Sequence, residues 1–203
     1  LRLLPSAART RWATSAADID GADLVVLPGS KHVAADADWL RARQLDARLR
    51  AHVNAGGRIL GVCGGAMMLG TEVRDPAGVE GATAGLGLLP LHTVMTKTKL
   101  TRSAIVEFPA LDPPWSSLSR LRARGYEIRN GEVHADGCEV APLLWCDGPV
   151  MATTVHGLLE DPDVVHALCG ARPTDTLDAT FDLLADAVDE HLDTDLLLRL
   201  VTA

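Results

Sequence analysis

The segment Arg58–Gly70 reads RILGVCGGAMMLG, and its reading decides the fold. An aliphatic run from Arg58 to Val62 leads into a cysteine and two glycines, and the Ala-, Met- and Leu-rich residues that follow are helix formers. The pattern predicts a buried strand, a tight turn at Cys63 and a helix beginning at Gly64. A cysteine acting only as a small hydrophobe would be flanked by more apolar side chains. This one stands where a strand ends, and the position points to chemistry.

Working outward, the apolar run Leu24–Leu27 stops at Pro28 and Gly29, as a buried strand followed by a turn does. Between the two strands, DADWLRARQLDARLRAHVNAGG (36–57) places Leu40, Leu45, Leu49 and Val53 at four- or five-residue steps, with Gly56 and Gly57 as a stop. The spacing predicts one amphipathic helix. A strand, crossover helix, strand and helix imply parallel strands, and both loops then leave at the carboxyl edge of the sheet, where layered α/β folds place ligands.

From Thr93 the character changes. TVMTKTKL (93–100), SAIVEF (103–108), GYEIRNGEV (125–133) and APLLWCD (141–147) alternate and carry turn residues, which predicts antiparallel strands. VMATTVHGLLED (150–161) supplies one more strand and a turn at His156. The stretch from Asp178 to Val201 closes the chain with one or two amphipathic helices. The fold class expected is α/β, with a mostly parallel central sheet, helices on both faces and additional antiparallel strands.

At 203 residues, one domain spanning 1–203 is the expectation. A net charge of −8 without basic clusters argues against nucleic acid, which demands concentrated Lys and Arg. No apolar run approaches the ~18 residues of a membrane span, and LRLLPSAARTRW lacks a secretory core, so a cytoplasmic protein is expected. The chain does not start with Met, and it is expected to be part of a longer polypeptide.

Cys63, Cys138, Cys146 and Cys169 occupy four unlike contexts without a C-x-x-C pair, so neither a disulfide framework nor a metal site is expected. Cys63 differs from the rest. A nucleophile at a strand-to-helix turn exposes its side chain at the sheet edge while the next N–H faces the reacting carbonyl. A helix N-terminus behind it is expected to favour the thiolate. Its general base must be an imidazole brought close by the fold. His52, His166 and His191 fall in helical, polar surroundings and read as solvated, while His32, His92 and His134 carry no such signal. His156 follows the β-branched run TTV and precedes Gly157, which puts it at a strand end on the edge of Cys63; it reads either as the base or as an ordinary loop histidine.

LPGSK (27–31), the segment from Leu49 to Gly70, GLGLLPL (85–91), GYEIRNG (125–131), TTVHGLLE (153–160) and LADAVDEHLD (184–193) occur in one chain and in one order. Together they resemble the class I (triad) glutamine amidotransferase domain of cobyric acid synthases, from about Ala22 to the C-terminus. The resemblance implies a flavodoxin-like layered fold in which Cys63 attacks the side-chain amide of glutamine, forms a glutamyl thioester and releases ammonia, with His156 as base. It implies an oxyanion held by backbone N–H groups of Gly29, Ser30 and Gly64. It also implies an N-terminal ATP-binding synthetase domain as partner, carrying ATP, Mg and the corrinoid whose carboxylates are amidated; no cofactor is expected in this chain, which has no G-x-x-x-x-G-K-[ST].

Relatives usually read CGGYQMLG and GYEIH where this chain has Ala66, Met67 and Arg129. Met67 reads as packing behind the elbow or as a substituted substrate contact. The His-x-Glu of many triad enzymes is absent, with Leu158 at that spacing, and Glu160 or Asp161 could orient His156 or lie in a solvated turn. Lys31 and Lys97 read as exposed lysines or as contacts to an acidic substrate or partner domain; Tyr126 and Glu127 sit in a motif that the resemblance puts near the cleft, and Tyr126 reads as core packing or as a functional contact. The glutaminase of cobyrinic acid diamide synthase, a stand-alone amidotransferase and a non-catalytic domain of the same fold are the alternatives.

Overall fold

In the computed structural model, residues 3–174, 177–194, 196, 199 and 200 are described. The elements β1 (Leu24–Leu27), β2 (Arg58–Val62) and β9 (Val150–Thr153) are parallel neighbours, and β8 (Leu144–Asp147) and β7 (Glu139–Ala141) extend the sheet antiparallel, in the order β1-β2-β9-β8-β7. Alternation along the strands feeds two cores. Ile59, Val150 and Ala152 face a cluster with α2 (Val33–Ala42), α3 (Leu45–Asn54) and α4 (Gly64–Leu69). Leu60 and Met151 face the opposite cluster with Val164, Val165 and Leu168 of α5 (Pro162–Cys169) and with Leu4 of α1 (Leu4–Ala7). Helices therefore cover both faces of the sheet. Each fully buried Leu in these clusters contributes ~1.5–3 kcal/mol relative to exposure.

One expectation is corrected here: residues 36–57 do not form a single helix. The chain breaks at Gln44, in the left-handed region at φ 58°, and makes α2 and α3. The reason lies in the step from Leu40 to Leu45, since five residues at 3.6 per turn rotate the apolar stripe by about 140°. The break turns Val33, Ala37 and Leu40 of α2, and Leu45 and Leu49 of α3, into the same core.

A second sheet has the order β4-β3-β5-β6, from β3 (Glu72–Arg74), β4 (Thr83–Ala84), β5 (Leu91–Glu107) and β6 (Arg122–Ala135). The long antiparallel pair β5–β6 matches the alternating sequence, with a register shift between Met95 and Leu100. Its importance is positional. Tyr126 in β6 forms a bridge with His156, just beyond β9, and so brings the ribbon to the carboxyl edge of the parallel strands. The helix α6 (Leu177–His191) accounts for most of the closing helical pattern; the rest of that stretch lies partly outside the described residues.

Candidate active site

Cys63 lies between β2 and α4 with φ 51° and ψ −106°, a left-handed backbone for a residue that carries a side chain. Such a conformation costs ~1–3 kcal/mol and persists only where its surroundings enforce it. They do so here: the Cys63 N–H donates to Thr153 O at the end of β9 (2.7 Å), and the Cys63 carbonyl accepts from Met67 N (3.0 Å). The elbow is thereby joined to the neighbouring strand and to its own helix.

The loop after β1 closes on the elbow. A Cβ placed on Gly29 would lie 2.8 Å from His156 Cε1, 3.5 Å from His156 Nδ1 and 3.9 Å from Cys63 Cβ. The imidazole and the cysteine thus both border the space left by one absent side chain. On Gly64, a Cβ would meet the Ser30 backbone nitrogen at 2.6 Å, so glycine is what lets the two loops touch. The Ser30 hydroxyl is already used, donating to Asp36 (2.5 Å) and accepting from His32 N (2.9 Å), which leaves Ser30 its main chain for the site. Gly29, Ser30, Cys63, Gly64 and His156 are gathered in one place at the carboxyl edge of β1, β2 and β9.

His156 is held on its own side by the β6 ribbon. Its N–H donates to Tyr126 O (2.8 Å), its carbonyl accepts from Tyr126 N (3.0 Å), and the two rings stack. Its Nε2 is buried without a hydrogen-bond partner among the described residues. Burial lowers the His156 pKa below its ordinary value, and the Glu160 charge pulls it partly back. Glu160 therefore acts only through space, and Asp161 is a helix cap whose carboxylate accepts from Asp163 N and Val164 N.

The expectation of a stabilised thiolate at Cys63 is corrected. Burial pushes the thiol up from its ordinary value; the Gly64 N–H and the Arg129 guanidinium oppose this, while Glu127 and Glu80 add to it. The helix α4 has only six residues, and desolvation outweighs what its first N–H supplies. Cys138, Cys146 and Cys169 are also pushed up by burial, Cys146 to about 11, so acidity does not set Cys63 apart. Its geometry does.

Other expectations divide. Lys31 and Lys97 are exposed, as are His166 and His191. His52 is buried, with Nε2 3.1 Å from Arg58 O, and is not the solvated side chain its polar neighbours suggested. Gly57, which ends the helical stretch, leaves the space that its ring fills. Met67 is buried, and its Cε lies with Thr93 Cγ2 and Met95 Sδ around the missing Cβ of Gly131.

Sequence reading missed the role of Glu127. Its carboxylate is wholly buried and accepts from Thr154 Oγ1 (2.7 Å), Arg129 Nε (2.8 Å) and Arg102 Nε (2.7 Å). Burial alone would raise its pKa, but the hydrogen bonds from Arg129, Thr154 and Arg102 hold it below the ordinary carboxylate value. The available signal was an ionisable residue between Tyr126 and Ile128 in an alternating strand, with arginine two residues on.

The model of the CobB/CobQ-like glutamine amidotransferase domain family matches residues 1–164. A cobyric acid synthase of Variovorax paradoxus (strain S110) is 46% identical over 203 residues, covering 95% of this chain and 42% of that protein. One from Paracidovorax citrulli (strain AAC00-1) is 47% identical, covering 91% of this chain and 40% of that protein. The chain thus spans about two fifths of the curated relatives it matches. A crystal structure of a glutamine amidotransferase superposes with a TM-score of 0.58 at 20% identity, over 78% of this chain and 85% of the other, which shows the shared fold. The chain belongs to the CobB/CobQ-like glutamine amidotransferase domain family.

Proposed function

We propose that this chain is the glutaminase part of a cobyric acid synthase, supplying ammonia from glutamine to amidate corrinoid side-chain carboxylates. The observation that carries the reading is the elbow at Cys63 with the His156 ring across the Gly29 gap. Family membership and cobyric acid synthase relatives at 46% and 47% identity support it.

Because burial disfavours charge on both groups, the resting pair is a thiol and a neutral imidazole. His156 accepts the Cys63 proton as sulfur attacks the side-chain carboxamide carbon of glutamine. The resulting oxyanion is held by backbone N–H groups of Ser30 and Gly64, with the Gly29 loop completing the cradle. On collapse, His156 returns the proton to the departing nitrogen, ammonia leaves, and a γ-glutamyl thioester stays on Cys63. Water then attacks the thioester with His156 as base, and glutamate leaves with the thiol restored.

ATP and Mg would be bound by a separate synthetase domain, which also binds the corrinoid. Among the described residues no helix is long and apolar enough to cross a membrane, and the proposed setting is cytoplasmic. The test is glutamine-dependent ammonia release by wild type, Cys63→Ala and His156→Ala, with a cobyric acid synthase synthetase half present. Each variant should lose at least about 10²-fold, while free ammonia should still support amidation. A His156→Ala loss below about tenfold would move the base to another residue.

A further inference from the structure

One buried carboxylate links the β6 ribbon that borders both Cys63 and His156 to the segment that leads into His156. Glu127 stands between Tyr126, which exchanges both backbone hydrogen bonds with His156, and Ile128, whose carbonyl accepts from Cys63 Sγ at 3.8 Å. Across the ribbon it pairs in register with Arg102, and the two are joined by an ion pair of 2.6 Å. Along its own strand it holds Arg129, which in turn donates to Gly131 O. Its remaining bond leaves the ribbon and reaches Thr154, two residues before His156, whose hydroxyl is fully buried.

We propose that Glu127 is a positioning residue: by tying β6 to Thr154 it fixes how far the imidazole of His156 stands from the thiol of Cys63. Three features support this. The carboxylate is inaccessible, so it is not a surface ion pair of negligible consequence. Its partners come from β5, β6 and the segment after β9, which no local sequence preference would bring together. The segment between Thr154 and His156 is one residue, so a shift at Thr154 is transmitted to the imidazole with little slack. Misplacement of a reacting group by about 1 Å can cost ~10²-fold in rate.

This inference rests on the glutaminase reading, and the experiment separates the two. Thr154→Val keeps the shape and removes the donor, whereas Thr154→Ser keeps the donor. Thr154→Val should lower kcat for glutamine hydrolysis about tenfold or more with KM changed less than about twofold, and Thr154→Ser should recover most of the loss. A merely structural methyl group would reverse that order. Glu127→Gln leaves one amide oxygen for the three donor groups of Arg102, Arg129 and Thr154 and removes the charge, and should change iodoacetamide labelling of Cys63 about threefold or more against Cys138 as internal reference. If Glu127→Gln fails to fold, the Thr154 pair decides. Thr154→Val with wild-type kcat, or equal losses in Val and Ser, overturns the proposal. If the wild type hydrolyses no glutamine, the glutaminase reading falls, and labelling decides: Cys63 reacting alike in wild type, Thr154→Val and Glu127→Gln also removes the positioning role.

Discussion

The rings of Tyr126 and His156 stack with centroids 5.3 Å apart and planes inclined by 13°, while their main chains exchange both N–H···O bonds. Tyr126 keeps 47% of its surface exposed, so it is a wall of the site and not a core residue. The ring, and not the hydroxyl, supplies the contact. Tyr126→Phe should therefore keep kcat for glutamine hydrolysis within about twofold, and Tyr126→Ala should lower it about tenfold through freedom of the imidazole. Steady-state kinetics on both variants check this; equal activity of the three proteins would show that the backbone pair alone holds His156.

Gly29→Ala separates stability from activity. The alanine Cβ would come within 2.8 Å of His156 Cε1, the tip of a side chain that can swing away, and the Gly29 backbone lies outside the left-handed region. Stability should fall by no more than about 1 kcal/mol, at the low end of overpacking costs. Turnover should fall about 10²-fold because the ring leaves its place beside Cys63. A thermal melt and a glutaminase assay on the one variant suffice, and unchanged turnover would mean that the imidazole does not need the Gly29 gap.

The pH dependence follows from burial. A thiol raised above its ordinary 9.0 stays protonated through neutral pH, so iodoacetamide labelling of Cys63 without glutamine should rise through a midpoint above 9.0. An imidazole lowered below its ordinary 6.5 stays neutral, and able to accept a proton, to more acidic pH. The acid limb of kcat/KM for glutamine, which reports the free protein, should accordingly fall below 6.5. A labelling midpoint below 9.0 would restore a preformed thiolate–imidazolium pair.

Behind the elbow, Thr93 Oγ1 is buried without a partner among the described residues. Removing an unpaired buried hydroxyl at constant shape is favourable, and Thr93→Val should stabilise the chain by about 1 kcal/mol, raising Tm by roughly 2–4 °C. Its neighbour Met67 is packing, so Met67→Gln should cost about 1–3 kcal/mol and leave KM for glutamine unchanged. A several-fold fall in KM would show instead that residue 67 reaches the substrate.

What the sequence determined by itself is local. An aliphatic run ending in Cys63 and two glycines specifies a strand, an elbow and a helix; LVVL before Pro28 and Gly29 specifies the neighbouring strand; a β-branched run before His156 places that imidazole at a strand end. Parallel topology then carries all three to one edge: the crossover helices α2 and α3 make β1 and β2 point the same way, and β9, although it follows the antiparallel β8, lies parallel to β2. Alternation likewise revealed the β5–β6 ribbon. Tertiary structure decided the rest, because it depends on groups distant in sequence. The break at Gln44 arises because two helix faces must share one core, and His52 is buried because Gly57 makes room for its ring. The protonation of Cys63 is set by how much water the surrounding loops exclude, which no motif encodes. Glu127 acquires its meaning only when Arg102, 25 residues away along the chain, and Thr154, 27 residues away, supply the hydrogen bonds that make a buried charge tolerable.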